Sequence, residues 1–178
     1  MQKIAFELEV YSFHIDLIGH VNSAIYIQWM EIGRTKLLEA IGMPAHQLFQ
    51  QGIAPVLAQT NITYKSPLYM GDRVQVELWL SELKNASTII QFNFYNDQKT
   101  LVAEGWQKAL FVDRQTMRPR RFLLEERALF APYMHSTVDT RPVDSPMNVP
   151  KTNNYHSLGA ALQNPGHAIY LGMGDRDW

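Results

Sequence analysis

A single carboxylate lies just before an apolar stretch near the start of the chain. Asp16 belongs to the segment 13–22, and an apolar helix is predicted to begin directly after that segment. The first turn of a helix offers unpaired backbone N–H groups and the positive end of the helix dipole. A carboxylate facing those donors can attack a carbonyl group that they polarise, or activate water against it. The residue types and their spacing therefore predict carbonyl chemistry at this junction.

The residues around Asp16 resemble a known family, the hot-dog-fold acyl-CoA thioesterases, and in particular its 4-hydroxybenzoyl-CoA thioesterase-like branch. That branch reads Asp-x-x-Gly-His-Val-Asn-Asn-x-x-Tyr, followed along the helix by an aromatic residue, a Glu and an Arg. The matching residues of this chain are Asp16, Gly19, His20, Val21, Asn22, Tyr26, Trp29, Glu31 and Arg34. Ser23 replaces the second Asn. The resemblance covers roughly residues 3–134. It implies a hot-dog fold that hydrolyses an acyl-CoA thioester to a free carboxylic acid and CoA.

The resemblance also implies a role for each residue of the loop. Asp16 is the expected catalytic carboxylate, either a nucleophile that forms a mixed anhydride or a general base toward water. Gly19 allows the loop a tight conformation close to the thioester. The backbone N–H groups of Asn22, Ser23 or Ala24 are expected to polarise the thioester carbonyl. CoA is part of the substrate in this reaction, so no bound cofactor is expected.

Two histidines and a second carboxylate offer alternatives to Asp16. His14 and His20 have side chains that titrate near neutral pH, but a carboxylate with amide donors needs no histidine, so a structural role is expected for each. Some other hot-dog thioesterases carry the active carboxylate on the central helix, which makes Glu31 a rival. Its spacing to Arg34 favours an ion pair along the helix. The histidines show no zinc-ligand spacing, and this chemistry requires no metal.

Weaker candidates for substrate binding lie elsewhere in the chain. Arg114 and Arg118 belong to a basic cluster that could hold the phosphates of CoA, although a solvated charged surface is the simpler interpretation. Lys65 beside a predicted turn is a similar candidate, and Gln59 and Asn61 are polar residues of a predicted strand. A glycine-rich phosphate loop, a catalytic serine motif and a DNA-recognition helix are absent from the sequence. A formal net charge of -1 implies no attraction to nucleic acid.

Hydrophobic periodicity predicts the elements that must position the loop. A strand is predicted at residues 4–11, a helix at residues 23–41 with Asn22 as its N-cap, and four consecutive strands after Gly52. The even-numbered residues between 54 and 64 are expected on one face of the first of these four strands. Strands in series favour an antiparallel sheet, and a helix this apolar is expected to be buried over most of its surface. The periodicity gives the α+β class. The resemblance adds a five-stranded antiparallel sheet wrapped around a long central helix.

Length and composition predict one domain with an extension. Residues 1–134 are expected to form the hot-dog domain, and residues 135–178, with many Pro, Ser, Thr, Asn and Gly, an irregular or disordered C-terminal extension. The chain has no cysteine, no apparent signal peptide and no apolar run long enough to span a bilayer. These features predict a cytoplasmic protein without a membrane partner. The family resemblance and an open sheet edge predict a homodimer or homotetramer.

Two other functions fit the same fold. A hydratase or dehydratase would need a histidine general base with a partner carboxylate, and His20 is not at a recognised spacing for that role. A non-catalytic module that binds acyl-CoA or an acyl carrier protein would need an output element, and only the C-terminal extension could supply one. The intact loop around Asp16 favours hydrolysis over both. Whether CoA or an acyl carrier protein carries the thioester stays open, and so does the identity of the acyl group.

Overall fold

A five-stranded antiparallel sheet and one long helix form the described part of the molecule. This computed structural model describes residues 2–135. The strands are β1 (Ile4–Glu9), β2 (Ile53–Tyr64), β3 (Arg73–Leu83), β4 (Ser87–Tyr95) and β5 (Leu101–Asp113). Their spatial order is β1-β3-β4-β5-β2, and every neighbouring pair is antiparallel. The predicted α+β class and the predicted antiparallel sheet are therefore confirmed.

The helix α1 (Ser23–Ala40) packs against one face of the sheet. Its N-cap is Asn22, as predicted, and Gly42 with φ +74° follows its end. The buried residues of the helix are Ile25, Tyr26, Trp29, Met30, Gly33, Leu37 and Leu38. Ile27 and Ile32 are 47% and 38% exposed. The prediction that α1 is buried over most of its surface is wrong for the single chain, because only the side against the sheet is covered.

Alternating apolar residues of β3 and β4 form the floor on which α1 lies. The side chains directed toward the helix are Val74, Val76, Leu78, Leu80, Ile90, Phe92 and Phe94, and all are almost fully buried. Two short helices, α2 (Ala45–Gln50) and α3 (Leu124–Phe130), close the core at the far end of α1. One continuous core therefore holds α1 in place over the central strands.

Strand β2 is an edge strand with an interrupted alternation. Its pairing with β5 shifts between Leu57 and Gln59, so Ala58 is an extra residue and the side-chain alternation reverses there. The prediction that all even-numbered residues from 54 to 64 share one face is therefore wrong. After the bulge, the side of β2 that faces α1 carries Thr60, whose Oγ1 lies 3.3 Å from Nε2 of the buried Gln107.

Residues 2–135 belong to one compact unit, which contains the sheet and α1. The predicted extension from residue 135 lies outside the described residues except for its first residue, so its irregular character stays a prediction. The helices within residues 2–135 are each too short or too polar to span a lipid bilayer.

Candidate active site

Asp16 lies in a tight loop whose backbone N–H groups donate hydrogen bonds to the Asp16 carboxylate. The backbone N–H of Asp16 donates to the carbonyl O of His20 at 2.8 Å, and that of Gly19 donates to the carbonyl O of Asp16 at 3.1 Å. Oδ1 of Asp16 accepts hydrogen bonds from the backbone N–H groups of Ile18 at 2.9 Å and His20 at 3.3 Å. Oδ2 has no hydrogen-bond partner among residues 2–135. One carboxylate oxygen is thus fixed by the loop, and the other is available to a substrate.

Gly19 gives this loop its shape. Its φ is +84°, in the left-handed region that strongly favours glycine. A Cβ at this position would meet nothing within 4 Å. The reason for glycine is therefore the backbone conformation rather than a lack of space. Leu17 and Ile18 are exposed, so the loop presents an apolar surface beside the carboxylate.

The first turn of α1 leaves one amide without a partner. The N–H of Asn22 donates to the carbonyl O of His14, and that of Ile25 donates to the carbonyl O of Asn22, both at 2.9 Å. The N–H of Ala24 donates to Oδ1 of Asn22 at 2.9 Å. The N–H of Ser23 has no acceptor within the described part of the chain. Of the three amides expected to polarise a thioester, Ser23 is therefore the one available to a substrate.

The two histidines contribute to the loop through their rings. Nδ1 of His14 accepts the backbone N–H of Tyr11 at 3.0 Å, and burial lowers the pKa of His14 below its usual value. The ring of His20 lies edge-on to Tyr69 with centroids 5.2 Å apart. Neither imidazole forms a hydrogen bond with Asp16. These contacts favour the structural role expected for both. Within residues 2–135 no group of three His, Asp or Glu side chains is placed to hold a metal ion.

The end of β2 lies beside the start of α1. Oη of Tyr64 lies 3.3 Å from the carbonyl O of Ser23, and its ring contacts the ring of Tyr26 with centroids 5.1 Å apart. Burial raises the pKa of Tyr26 to about 12, so this phenol stays neutral. Lys65 lies at the same end of β2 but forms an ion pair with Glu104 at 2.9 Å. Sequence reasoning did not find Tyr64, because no local pattern reports a contact between a strand end and a distant helix.

The rival carboxylate Glu31 lies farther along α1. It is eight residues after Ser23, which corresponds to about 12 Å along the helix axis. It forms an ion pair with Arg34, as predicted. The Glu31 side chain is 66% exposed whereas that of Arg34 is only 16% exposed, and burial lowers the pKa of Arg34. Glu31 and Asp16 therefore do not share one site within a single chain.

Gln59 and Asn61 face away from α1. They lie opposite Lys108 and Trp106 of β5, on the side of the sheet that the helix does not cover. The structure thus places them on a different surface from Asp16 of the same chain.

Arg114 and Arg118 lie at the other end of β2 from Asp16. The backbone N–H of Arg114 donates to the carbonyl O of Gly52, just before β2 begins, and its guanidinium donates to the carbonyl O of Phe49 at 2.9 Å. Arg118 is exposed. The 12 residues of β2 separate this basic end from the start of α1 by roughly 35 Å. Within one chain, these arginines and Asp16 do not form one site.

Several known proteins are similar to this chain over most of its length. Residues 13–148 match the family model of the thioesterase-like superfamily. The putative acyl-CoA thioesterase YneP of Bacillus subtilis is 29% identical over 116 residues, which are 65% of this chain and 84% of that protein. The chloroplastic acyl-acyl carrier protein thioesterase ATL3 of Arabidopsis thaliana is 28% identical over 131 residues, 72% of this chain and 67% of that protein.

A solved structure shares the fold. The DHNA-CoA thioesterase of Staphylococcus aureus superposes with a TM-score of 0.70 at 18% identity, covering 74% of this chain and 91% of that one. The predicted hot-dog fold is thereby confirmed.

Proposed function

Because the chain belongs to the thioesterase-like superfamily and is a thioester hydrolase, we propose that it hydrolyses acyl-CoA thioesters with Asp16 as the catalytic carboxylate. One arrangement carries this proposal. The unengaged Oδ2 of Asp16 and the unengaged N–H of Ser23 lie at the same junction of loop and helix, at the positive end of the α1 dipole. A nucleophilic or basic oxygen and an oxyanion donor are the two parts that thioester hydrolysis needs.

In the proposed reaction, the N–H of Ser23 donates to the thioester carbonyl and stabilises the oxyanion that forms. Asp16 either attacks the carbonyl carbon, giving a mixed anhydride and CoA thiolate, or takes a proton from a water molecule that attacks. In the first route water then hydrolyses the anhydride. Both routes end in a free carboxylic acid and CoA, and both need only Oδ2, because the loop holds Oδ1.

We also propose a homodimer formed through the free edge of β2. An edge strand presents unpaired N–H and C=O groups, and this one is exposed over Leu57, Gln59 and Asn61. If two copies of β2 pair antiparallel, the start of one strand lies beside the end of the other. The basic end of one chain, with Arg114 and Arg118, then lies near Asp16 of the other. This arrangement would place positive charge where the phosphates of CoA enter.

Hydrolysis is tested with a panel of acyl-CoAs and a thiol-trapping dye that reports released CoA. Asp16→Asn keeps the shape of the side chain and removes the reactive oxygen, so kcat should fall by about 10² to 10⁴. Glu39→Gln, at an exposed carboxylate of α1 outside the proposed site, is the matched control, and its activity should stay within a few-fold of wild type. Glu31→Gln tests the rival carboxylate. An inactive Glu31→Gln beside an active Asp16→Asn would move the catalytic role to the helix. Activity in both variants would contradict the proposal.

The proposed interface is tested by cross-linking, because the chain contains no cysteine. Single cysteines at Gln59, Asn61 and Thr63 should give disulfide-linked dimers at one or more positions, since paired strands bring residues within disulfide reach. Glu7→Cys on β1, the opposite edge of the sheet, is the control and should not cross-link. Light scattering on the wild type should give the mass of two chains or a multiple of it. A stable, active monomer would contradict the dimer.

Two further parts of the proposal concern the substrate and its location. The similarity to ATL3 of Arabidopsis keeps an acyl carrier protein thioester as the alternative substrate, and the hydrolysis assay can be run on both carriers. We propose a cytoplasmic location, supported by the absence of cysteine, which suits a reducing compartment.

A further inference from the structure

A groove runs along the side of α1 that faces β2. At one end, Tyr64 of β2 contacts Ser23 at the start of the helix. At the other end, Pro55 and Val56 of β2 share a cavity with Glu31. Between these two contacts the helix advances about 12 Å and the strand roughly 26 Å, so the two elements run in opposite directions at an angle to each other. The groove between them begins at the junction that holds Asp16. We call it the α1–β2 groove.

The α1–β2 groove is open and mostly apolar between its two ends. Ser23, Ile27 and Glu31 recur every four residues and so lie along one side of α1. Ile27 is 47% exposed, and Leu57 and Tyr64 of β2 are 36% and 48% exposed. The apolar strip starts at the unpartnered N–H of Ser23, where the thioester carbonyl of the proposed reaction lies.

The groove ends in a chamber of about 80 Å³ between α1, β5 and α3. Most of its wall is apolar and includes Leu37, Leu38, Ile90, Ala109, Phe111 and Phe130. Glu31 belongs to both the groove and the chamber, and with Arg34 it lies where the two meet. This volume is about that of three water molecules in the liquid, enough for the last few methylene groups of an alkyl chain.

The Glu31–Arg34 pair lies at the entrance to this chamber. Nε of Arg34 is buried and has no partner among the described residues. A buried donor without an acceptor is unfavourable, so this guanidinium gains hydrogen bonds with water when it turns toward solvent. Glu31 is already exposed and can follow it.

We propose that the α1–β2 groove and the chamber bind the acyl chain of the substrate, and that this chain is unbranched and of medium length. The inference rests on the proposed function, which places the carbonyl at Ser23. From there to Glu31 the distance is about 12 Å along the helix. An extended chain advances roughly 1.2 Å per bond, so a chain needs about ten carbons to reach the chamber. A few more carbons fill it, which selects acyl groups of about ten to fourteen carbons over short or aromatic ones.

The first test fills the chamber. Ala109 is a half-buried chamber residue of β5, and Ala109→Leu places a larger side chain in that space. The kcat/KM for dodecanoyl-CoA should fall at least tenfold, whereas that for hexanoyl-CoA should change less than twofold. Ala40→Leu at the exposed end of α1 is the matched control and should alter neither value. An equal loss for both substrates, or no loss for dodecanoyl-CoA, would overturn the inference.

The second test enlarges the chamber. It keeps the inference testable even if Ala109→Leu fails to fold. Ile90→Val removes one methyl group from the part of the wall that β4 forms, where the side chain is directed toward α1. The ratio of kcat/KM for hexadecanoyl-CoA to that for dodecanoyl-CoA should rise at least threefold. An unchanged ratio would count against the chamber as the place where the chain ends.

A binding measurement separates this inference from the proposed function. S-dodecyl-CoA and S-hexyl-CoA are thioethers that cannot be hydrolysed, and calorimetry gives their Kd directly. Ala109→Leu should raise the Kd of S-dodecyl-CoA at least tenfold and change the Kd of S-hexyl-CoA by less than twofold. If the protein binds S-dodecyl-CoA in this way but hydrolyses no acyl-CoA, the proposed function fails and the inference stands. If the wild type hydrolyses acyl-CoA, but each thioether binds the wild type and Ala109→Leu with the same Kd, only the inference fails.

Discussion

At the scale of single residues, Asn22 decides which amide of α1 is available to a substrate. A helix start has four backbone N–H groups without intrahelical partners. Asn22 satisfies the N–H of Ala24 with its side chain and that of Ile25 with its carbonyl, and its own N–H is bound by His14. Only the N–H of Ser23 is left in this segment. The capping residue therefore stabilises the helix and also leaves one donor beside the carboxylate of Asp16.

Replacing Ser23 by proline removes that donor alone. Proline is well tolerated at the first helical position, and Asn22 has ψ 137°, which suits a residue before proline. We expect Ser23→Pro to lower kcat by about 10² to 10³, the usual effect of losing one oxyanion donor. Ser23→Ala keeps the amide and should stay within a few-fold of wild type. Steady-state hydrolysis with thermal melting as a folding check measures both, and full turnover in Ser23→Pro would exclude this amide as the donor.

His14 makes stability depend on pH. Burial lowers its pKa in the folded state, and Nδ1 can accept the N–H of Tyr11 only when it is unprotonated. The folded state therefore binds the proton more weakly than the unfolded state. Its contribution to stability is complete above the ordinary histidine pKa of about 6.5 and is lost as the pH falls below it. Urea unfolding should show a free energy of unfolding that drops from pH 7.5 to pH 5. The drop should be smaller in His14→Asn, and equal drops in both proteins would contradict this assignment.

At the scale of elements, two glycines set how closely α1 and β2 approach the rest of the sheet. A Cβ on Gly105 of β5 would lie 2.4 Å from the backbone carbonyl O of Asn61 in β2. A Cβ on Gly33 of α1 would lie 2.9 Å from the ring of Phe92, which can shift, and alanine also favours the helix by up to about 1 kcal/mol. Gly105→Ala should therefore lower the free energy of unfolding by about 1–3 kcal/mol, and Gly33→Ala by less. Denaturant unfolding of the two variants measures the order, and a wild-type stability for Gly105→Ala would contradict the close β2–β5 contact.

Local patterns predicted most of the elements and the loop of the site. The helix predicted at 23–41 is Ser23–Ala40, because its cap and its apolar residues are contiguous in the chain. Asp16 and Ser23 could likewise be proposed from sequence, since one short segment holds both. The bulge at Ala58 could not, because each half of β2 alternates regularly by itself and only the pairing with β5 reveals the shift. The same holds for Tyr64, which is 41 residues from its contact at Ser23.

The exposure of one side of α1 could also not be predicted from the sequence, for a different reason. Composition shows that a helix is apolar but not what covers each side of it. A helix this apolar is expected to be buried over most of its surface, yet Ile27 and Ile32 are exposed in the single chain. The exposed side at Ile27 borders the α1–β2 groove, so the wrong prediction marks the surface that we assign to the acyl chain.

At the scale of the whole molecule, the two ends of β2 carry different parts of the proposed site. Asp16 and Ser23 lie near its end, and Arg114 lies near its start, roughly 35 Å away. A substrate with an acyl chain at one end and phosphates at the other needs both kinds of surface. Antiparallel pairing of two β2 strands would bring the Asp16 end of one chain next to the Arg114 end of the other. The proposed dimer therefore supplies both surfaces that the proposed substrate needs.

Residues 136–178 should be dispensable for hydrolysis. The loop, the free amide, the α1–β2 groove and the chamber are all formed by residues up to Phe130. Two truncations test this, one that removes 149–178 and keeps the whole family match, and one that removes 136–178. Both should retain kcat/KM within tenfold of the full chain, a difference of less than about 1.4 kcal/mol in transition-state binding. A larger loss in both would show that the last segment contributes to the site. A larger loss only in the shorter protein would assign that contribution to residues 136–148, and circular dichroism would confirm that the domain itself is still folded.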